Sequence, residues 1–290
     1  MDKLSFTLVL ASVFTHAYWN YLIKRSGNKH IFTALSKIAE IMIFGIPAIY
    51  FLATTEFQIF FLLLVLVASI ITFLNYFFLA NAYRCGDLSL VYPISRSSII
   101  FLPVLAYFFI GEIVDTTGVA AIILILLGNF VMHLDSFDKQ GVSNIISNIS
   151  NKGSTYALIA AMAVAGYTLW DKISVTKMEP FLYFYLYTFV IACLYNVFVF
   201  NKFSGNEIRN EWNENKSRIV RVGFFNSLTY ILVLIALTRS KATYVGGLRQ
   251  LSIVVGLFFG SRLLGENLSK PKIIGILISI IGGSLIYFAK

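Results

Sequence analysis

Ten stretches of about 20 predominantly apolar residues run through this chain of 290 residues, at 4–23, 31–52, 57–81, 88–110, 115–134, 154–175, 179–200, 219–237, 243–264 and 270–289. Hydrocarbon cannot hydrogen-bond a backbone N–H or C=O, so each stretch must satisfy its own backbone as an α-helix. The pattern therefore predicts an all-α integral membrane protein with ten transmembrane helices. Only 13% of the residues are charged, against about 25% in a soluble domain, too few to coat a water-facing surface. The first stretch, 4-LSFTLVLASVFTHAYW-19, lacks a small-x-small cleavage pattern and reads as a retained helix rather than a signal peptide.

The spans divide five and five around the polar stretch 135–153. A constant shift of 154 residues aligns Tyr76 with Tyr230, Ala82 with Ala236, Val91 with Val245, Ser98 with Ser252, Glu112 with Glu266 and Gly128 with Gly282. The pair Trp19–Asn20 aligns with Trp170–Asp171 at a shift of 151. Residues 1–134 and 154–290 thus read as two copies of one five-helix unit joined by 135–153. An odd number of spans sends the second copy into the membrane from the opposite side. Two inverted five-helix repeats follow, an arrangement that places a substrate site near the midplane between the copies. The second long polar stretch, 201–218, reads as a solvated loop or surface helix and carries no candidate site.

Polar side chains inside spans face the bundle interior or a wet cavity. In helix 1, Ser12, His16, Trp19 and Asn20 share one face; Trp19 also suits an interfacial anchor, and His16 a helix-packing role. Trp170 and Asp171 occupy the equivalent places in helix 6. Thr72 and Tyr76 in helix 3, and Asn226 and Tyr230 in helix 8, form a duplicated polar-plus-phenol face, suited to a cavity lining or to bonding between helices. In helix 4, Tyr92 and Arg96 share a face beside Pro93, while helix 9 carries Arg249 and Gln250, with Gln250 the repeat partner of Arg96. Arginine's planar fork suits a carboxylate, phosphate or phosphonate; pairing of an arginine with Asp171 is the competing reading. Glu40 stands three residues after Lys37, close enough for a local pair, or it carries a coupling proton. Glu112 and Glu266, at helix ends beside turns, read as structural.

Several chemistries leave no trace. There is no phosphate-cradling GxxxxGK[ST] loop, no nucleophile elbow and no HExxH, and His16, His30 and His133 are far apart. No metal, cofactor or catalytic set is expected. The net charge of +9 lies mostly between spans, where it meets lipid headgroups rather than nucleic acid.

The stretches 79-LANAYRCGDLSLVYPISRSSIIFLPVLAYFFIGE-112 and 236-ALTRSKATYVGGLRQLSIVVGLFFGSRLLGE-266, each followed by a glycine-bearing apolar helix, resemble the drug/metabolite transporter superfamily in its EamA-type ten-helix branch. The opening 16-HAYWNYLIKRSGNKHIF-32 is similar to a subgroup labelled phosphonate-utilisation-associated. The resemblance implies a multi-pass protein of a bacterial inner membrane, a secondary transporter with a central cavity lined by helices 1, 3, 4, 6, 8 and 9. Its substrate would be a small polar or amphiphilic metabolite, with Arg96 or Arg249 suited to hold an anionic group on it. The expected wall is Trp19, Asn20, Thr72, Tyr76, Tyr92, Arg96, Trp170, Asn226, Tyr230, Arg249 and Gln250. His16, Glu40 and Asp171 are the expected titratable groups for coupling to protons, with exchange against a counter-substrate the alternative. A membrane enzyme acting on a lipid-linked headgroup and a non-transporting structural or regulatory protein are the rival readings, and the oligomeric state stays open.

Charge asymmetry and resemblance disagree on orientation. The face bearing the termini holds six Lys and Arg and the other face fourteen. The positive-inside rule therefore expects the termini outside the cytoplasm, whereas the resemblance implies cytosolic termini. Accessibility of a cysteine placed at Lys290 to an impermeant reagent decides: labelling of intact cells supports the charge rule, and protection supports the resemblance.

Overall fold

A computed structural model describes residues 1–86, 91, 94–134, 151–265 and 268–290. The expectations for Tyr92, Pro93 and Glu266 lie outside the described residues. The described chain is helical throughout, with α1 (Lys3–Lys24), α2 (Lys29–Thr54), α3 (Ile59–Cys85), α4 (Ser98–Ile110), α5 (Thr116–Met132), α6 (Lys152–Val175), α7 (Pro180–Lys202), α8 (Gly205–Arg239), α9 (Ala242–Arg249), α10 (Ser252–Leu264) and α11 (Lys270–Phe288). Counting α9 and α10 as one broken span gives ten spans among the described residues. Seven are long and apolar enough to cross a membrane by themselves. Helix α1 has the length, but Ser12, Thr15, His16 and Asn20 dilute its apolar character.

Helix starts follow capping chemistry. Asp2, Asn28, Asp115 and Asn151 each accept a hydrogen bond from a backbone N–H in the first turn of the following helix, satisfying donors that have no intrahelical partner. One boundary differs from the sequence reading. The stretch 205–218 continues α8 as a single 35-residue helix, about 52 Å long at 1.5 Å per residue. Ser204 and Glu207 form a capping box at its start, and past Gly205 no proline or glycine interrupts it before Gly223.

Three features recur at the shift of 154 found in the sequence. Gly111 (φ 65°) and Gly265 (φ 70°) both adopt the left-handed conformation and end α4 and α10, a turn that glycine makes without a steric penalty. The chain breaks from helix into turn at Arg96–Ser97 before α4 and at Gln250–Leu251 between α9 and α10. Finally, α5 packs along α11 so closely that the backbones nearly touch. A Cβ on Gly128 would lie 2.6 Å from the Gly275 carbonyl oxygen, and one on Gly282 would lie 2.9 Å from that of Ala121. Residues 128 and 282 are repeat partners, and so are 121 and 275, so the two contacts are copies of each other.

Other contacts obey the same exchange. Helix α3 lies along α6 and its mate α8 lies along α1, while α4 meets α6 as α9 and α10 meet α1. The molecule is thus a pair of inverted repeats, with α5 and α11 closing one side and α2 and α7 packed on each other at another.

The seam between α5 and α11 depends on the missing side chains. Gly128→Val or Gly282→Val should each destabilise the purified protein by about 1–3 kcal/mol through overpacking, read as a lower unfolding midpoint. Gly256→Val, at a position with open space around it, should leave the midpoint unchanged.

Candidate functional site

Between the α1–α8 pair and the α3–α6 pair lies a cavity of about 310 Å³, completed by residues of α2, α4, α7, α9 and α10. That volume suits one small molecule. On the α1–α8 side stand His16, Trp19, Asn20, Asn226 and Tyr230; on the α3–α6 side stand Thr72, Tyr76, Tyr167 and Thr168; Arg96, Arg249 and Gln250 come from the two helix breaks. The breaks matter because a helix interrupted mid-membrane turns polar backbone and side chains toward the one place where they can be solvated.

The expected wall residues among those described assemble, with Trp170 the exception. Trp170 is turned to α3, where its indole Nε1–H donates to the Leu64 carbonyl at 2.8 Å. Glu40 and Asp171 are fully buried, at 1% and 0% exposure, one layer behind the wall. Two contributors were missed. Helix α7 adds Phe184, Tyr187 and Thr188, and α2 adds Lys37. Tyr183 and Tyr187, one turn apart on an apolar helix, are the signal that could have pointed to α7.

Tyr183 and Tyr230 donate to the two carboxylate oxygens of Asp171 at 2.8 and 2.7 Å. Tyr187 stacks beside Tyr183 and lies 5.5 Å from the Tyr230 ring centroid, and its hydroxyl donates to Thr72 Oγ1 at 2.9 Å. Asp171 therefore binds phenols rather than an arginine. On α1, Asn20 Nδ2 donates to the His16 carbonyl at 2.8 Å, and the His16 and Trp19 rings meet edge-to-face at 5.0 Å. The buried Trp19 Nε1–H and Gln250 Oε1 have no hydrogen-bond partner among the described residues. No hydrogen bond or ion pair holds the Arg249 guanidinium among them either. Among the described residues the lining bears Lys37, Arg96 and Arg249 and no carboxylate, so the described wall is cationic. Among the described residues, no group of His, Cys, Asp or Glu is placed to hold a metal ion.

The lining runs from mid-bundle toward the face of the α1–α2 turn, where Asn20 and Tyr83 are exposed. The face bearing the termini is tied shut. Glu112 accepts from the backbone N–H groups of Ala242 and Thr243 at 2.8 and 2.9 Å, capping α9. Tyr244 donates to Asp115 at 2.6 Å. Lys241 donates to the Ile113 and Lys290 carbonyls, both at 2.6 Å. Arg239 pairs with Asp2 at 3.0 Å. These bonds join both ends of the chain to the starts and ends of four helices.

A multi-helix bundle with inverted halves, broken helices and a polar cavity at their crossing has the form of a membrane transporter. Residues 151–288 of this multi-pass membrane protein match the EamA-like transporter family, the family that the sequence motifs resemble. A solved crystal structure superposes with a TM-score of 0.69 over 98% of this chain and 96% of its own, at 15% identity, which establishes the shared fold. No curated protein matches the sequence.

Glu112→Ala removes two buried caps and should cost about 2 kcal/mol in denaturant unfolding. Glu112→Gln, which keeps one acceptor oxygen, should fall between Glu112→Ala and the wild type.

Proposed function

We propose that this protein moves a small polar metabolite carrying an anionic group across the membrane by alternating access through the central cavity. Its duplicated units are residues 1–134 and 154–290, joined by 135–153, and its location is a bacterial inner membrane. The observation that carries the reading is the charge of the wall: Arg96, Arg249 and Lys37 line it, and among the described residues no lining residue is acidic. In a site walled off from bulk water a guanidinium attracts a carboxylate or phosphoryl group far more strongly than it does at a surface. Tyr76, Tyr187, Tyr230 and Trp19 supply flat apolar faces for the rest of the molecule, and the orphaned Trp19 N–H and Gln250 amide supply directed hydrogen bonds.

The test is counterflow in proteoliposomes across a panel of small carboxylates, phosphate esters, phosphonates, amines and neutral sugars. Anion-bearing compounds should exchange, and amines and sugars should not. Arg249→Gln should lower the apparent affinity for the exchanging anion at least about tenfold, the equivalent of 1.4 kcal/mol, with the folded protein still recovered. Preferred exchange of amines, or full anion exchange by Arg249→Gln, would overturn the reading.

A further inference from the structure

Lys37 is both a wall residue of the cavity and the partner of a buried acid. Its Nζ lies 3.0 Å from Oε1 and 3.1 Å from Oε2 of Glu40. The lysine side chain retains 14% exposure and the glutamate 1%. Helix α8 is what buries the acid: at Gly223 it presses onto α2 so tightly that a Cβ there would stand 3.1 Å from the Ser36 carbonyl oxygen and 3.2 Å from the Glu40 nitrogen. From the same helix, Asn226 Nδ2 donates to Glu40 Oε1 at 2.8 Å, and Asn226 itself lines the cavity.

The groups that face Glu40 are few. Lys37 comes from its own helix, the neutral Asn226 and Ser227 from α8, and the Tyr76 phenol from α3. Helix α7, on the other side of α2, presents Tyr195, engaged with the His30 ring at 2.9 Å, and Tyr185, beside Gly45. Lys37 is thus the one cation within ion-pair distance of Glu40 among the described residues. A buried carboxylate that loses its sole cation is strongly destabilised and is relieved by taking a proton.

Resting on the anionic-substrate reading, we propose that Lys37 is a shared cation: an oxyanion entering the cavity draws the Lys37 ammonium away from Glu40, and Glu40 then takes up a proton, so that anion and proton travel together. The balance closes. Lys37 keeps its three protons. Glu40 goes from carboxylate to carboxylic acid as one O–H bond forms with a proton delivered by cavity water. Before binding, the pair is neutral; afterwards Lys37 and a monoanion are neutral together and Glu40 is uncharged. Asn226 can follow the change, since its amide offers a donor to the carboxylate and an acceptor to the acid. Asp171 lacks this linkage. Its oxygens are held by Tyr183 and Tyr230, with no cation within ion-pair distance among the described residues to be drawn away.

Two measurements on the purified protein in lipid vesicles test this. In infrared difference spectra at neutral pH, wild type should show no protonated-carboxyl band from Glu40. Lys37→Gln should show one, Lys37→Gln/Glu40→Gln should lose it, and Lys37→Arg should behave as wild type. Separately, acetate or inorganic phosphate is added in weak buffer with a pH dye. Binding is read by the fluorescence of Trp19, with Trp19→Phe as control. Wild type should take up about one proton per bound monoanion and Glu40→Gln none. Anion binding without proton uptake, or uptake unchanged in Glu40→Gln, overturns the proposal while leaving the anionic cavity intact. Failure of both anions to bind overturns the cavity reading and this proposal with it. If Lys37→Gln does not fold, the dye measurement on wild type and Glu40→Gln decides.

Discussion

Hydrocarbon offers no hydrogen bonds, so each polar group inserted into it must bring its partner along. Several groups in the interior of this bundle follow that constraint. The Trp170 indole finds a carbonyl on α3, Thr229 finds Thr15 at 2.7 Å across the α1–α8 contact, Asp171 finds two phenols, and Glu40 finds an ammonium and an amide. Lys172, near the terminal face, donates to the Leu237 and Ser240 carbonyls at 2.6 and 3.0 Å and so completes the C-terminal end of α8. As it is at the buried Asn129 amide, the rule is relaxed in the cavity. There a guanidinium, an indole N–H and an amide are left for a visitor to satisfy.

Duplication explains the frame and divergence explains the chemistry. The two copies keep the left-handed glycines, the helix breaks and the glycine contacts between α5 and α11, all backbone features that a change of side chain would destroy. They differ where charge is placed. Arg96 in one copy faces Gln250 in the other, and the polar, cavity-facing Asn20 has the wholly buried Asp171 as its counterpart. Symmetric backbone with asymmetric side chains gives a site at the pseudo-twofold axis that is not itself twofold, which is what an asymmetric small molecule requires.

Most of the frame was legible in the sequence because membrane burial writes it in long apolar runs and the repeat writes it twice. The face Ser12–His16–Trp19–Asn20 and the paired Thr72–Tyr76 and Asn226–Tyr230 faces were legible because helical spacing alone places them together. Trp170 was misplaced because repeat equivalence fixes a position in the fold, while neighbours fix which way the side chain points; α3 lies beside α6 and takes the indole. Lys37 was read as half of a local pair, which it is, but i, i+3 spacing says nothing about the cavity on its other side. The sequence left 201–218 open between a solvated loop and a surface helix, since no apolar stripe announces a helix that leaves the membrane. A long-range bond holds it: Glu211 accepts from the Asn28 backbone N–H at 2.9 Å and, within α8, from Asn215 at 2.8 Å.

That overhang makes α8 a splint for α1. Near one end Arg218 reaches the Arg25 carbonyl at 3.3 Å and Glu211 holds Asn28; at the other, Arg239 holds Asp2. A rod fastened to its neighbour at both ends cannot tilt away from it or slide past it. His16 and Trp19 on one helix and Asn226 and Tyr230 on the other must then keep their mutual spacing through any rearrangement of the bundle. In the proposed transport cycle half of the binding surface would in this sense be prefabricated, and release would come from movement of the α3–α6 wall, with the α1–α8 wall left standing as the template for the next molecule.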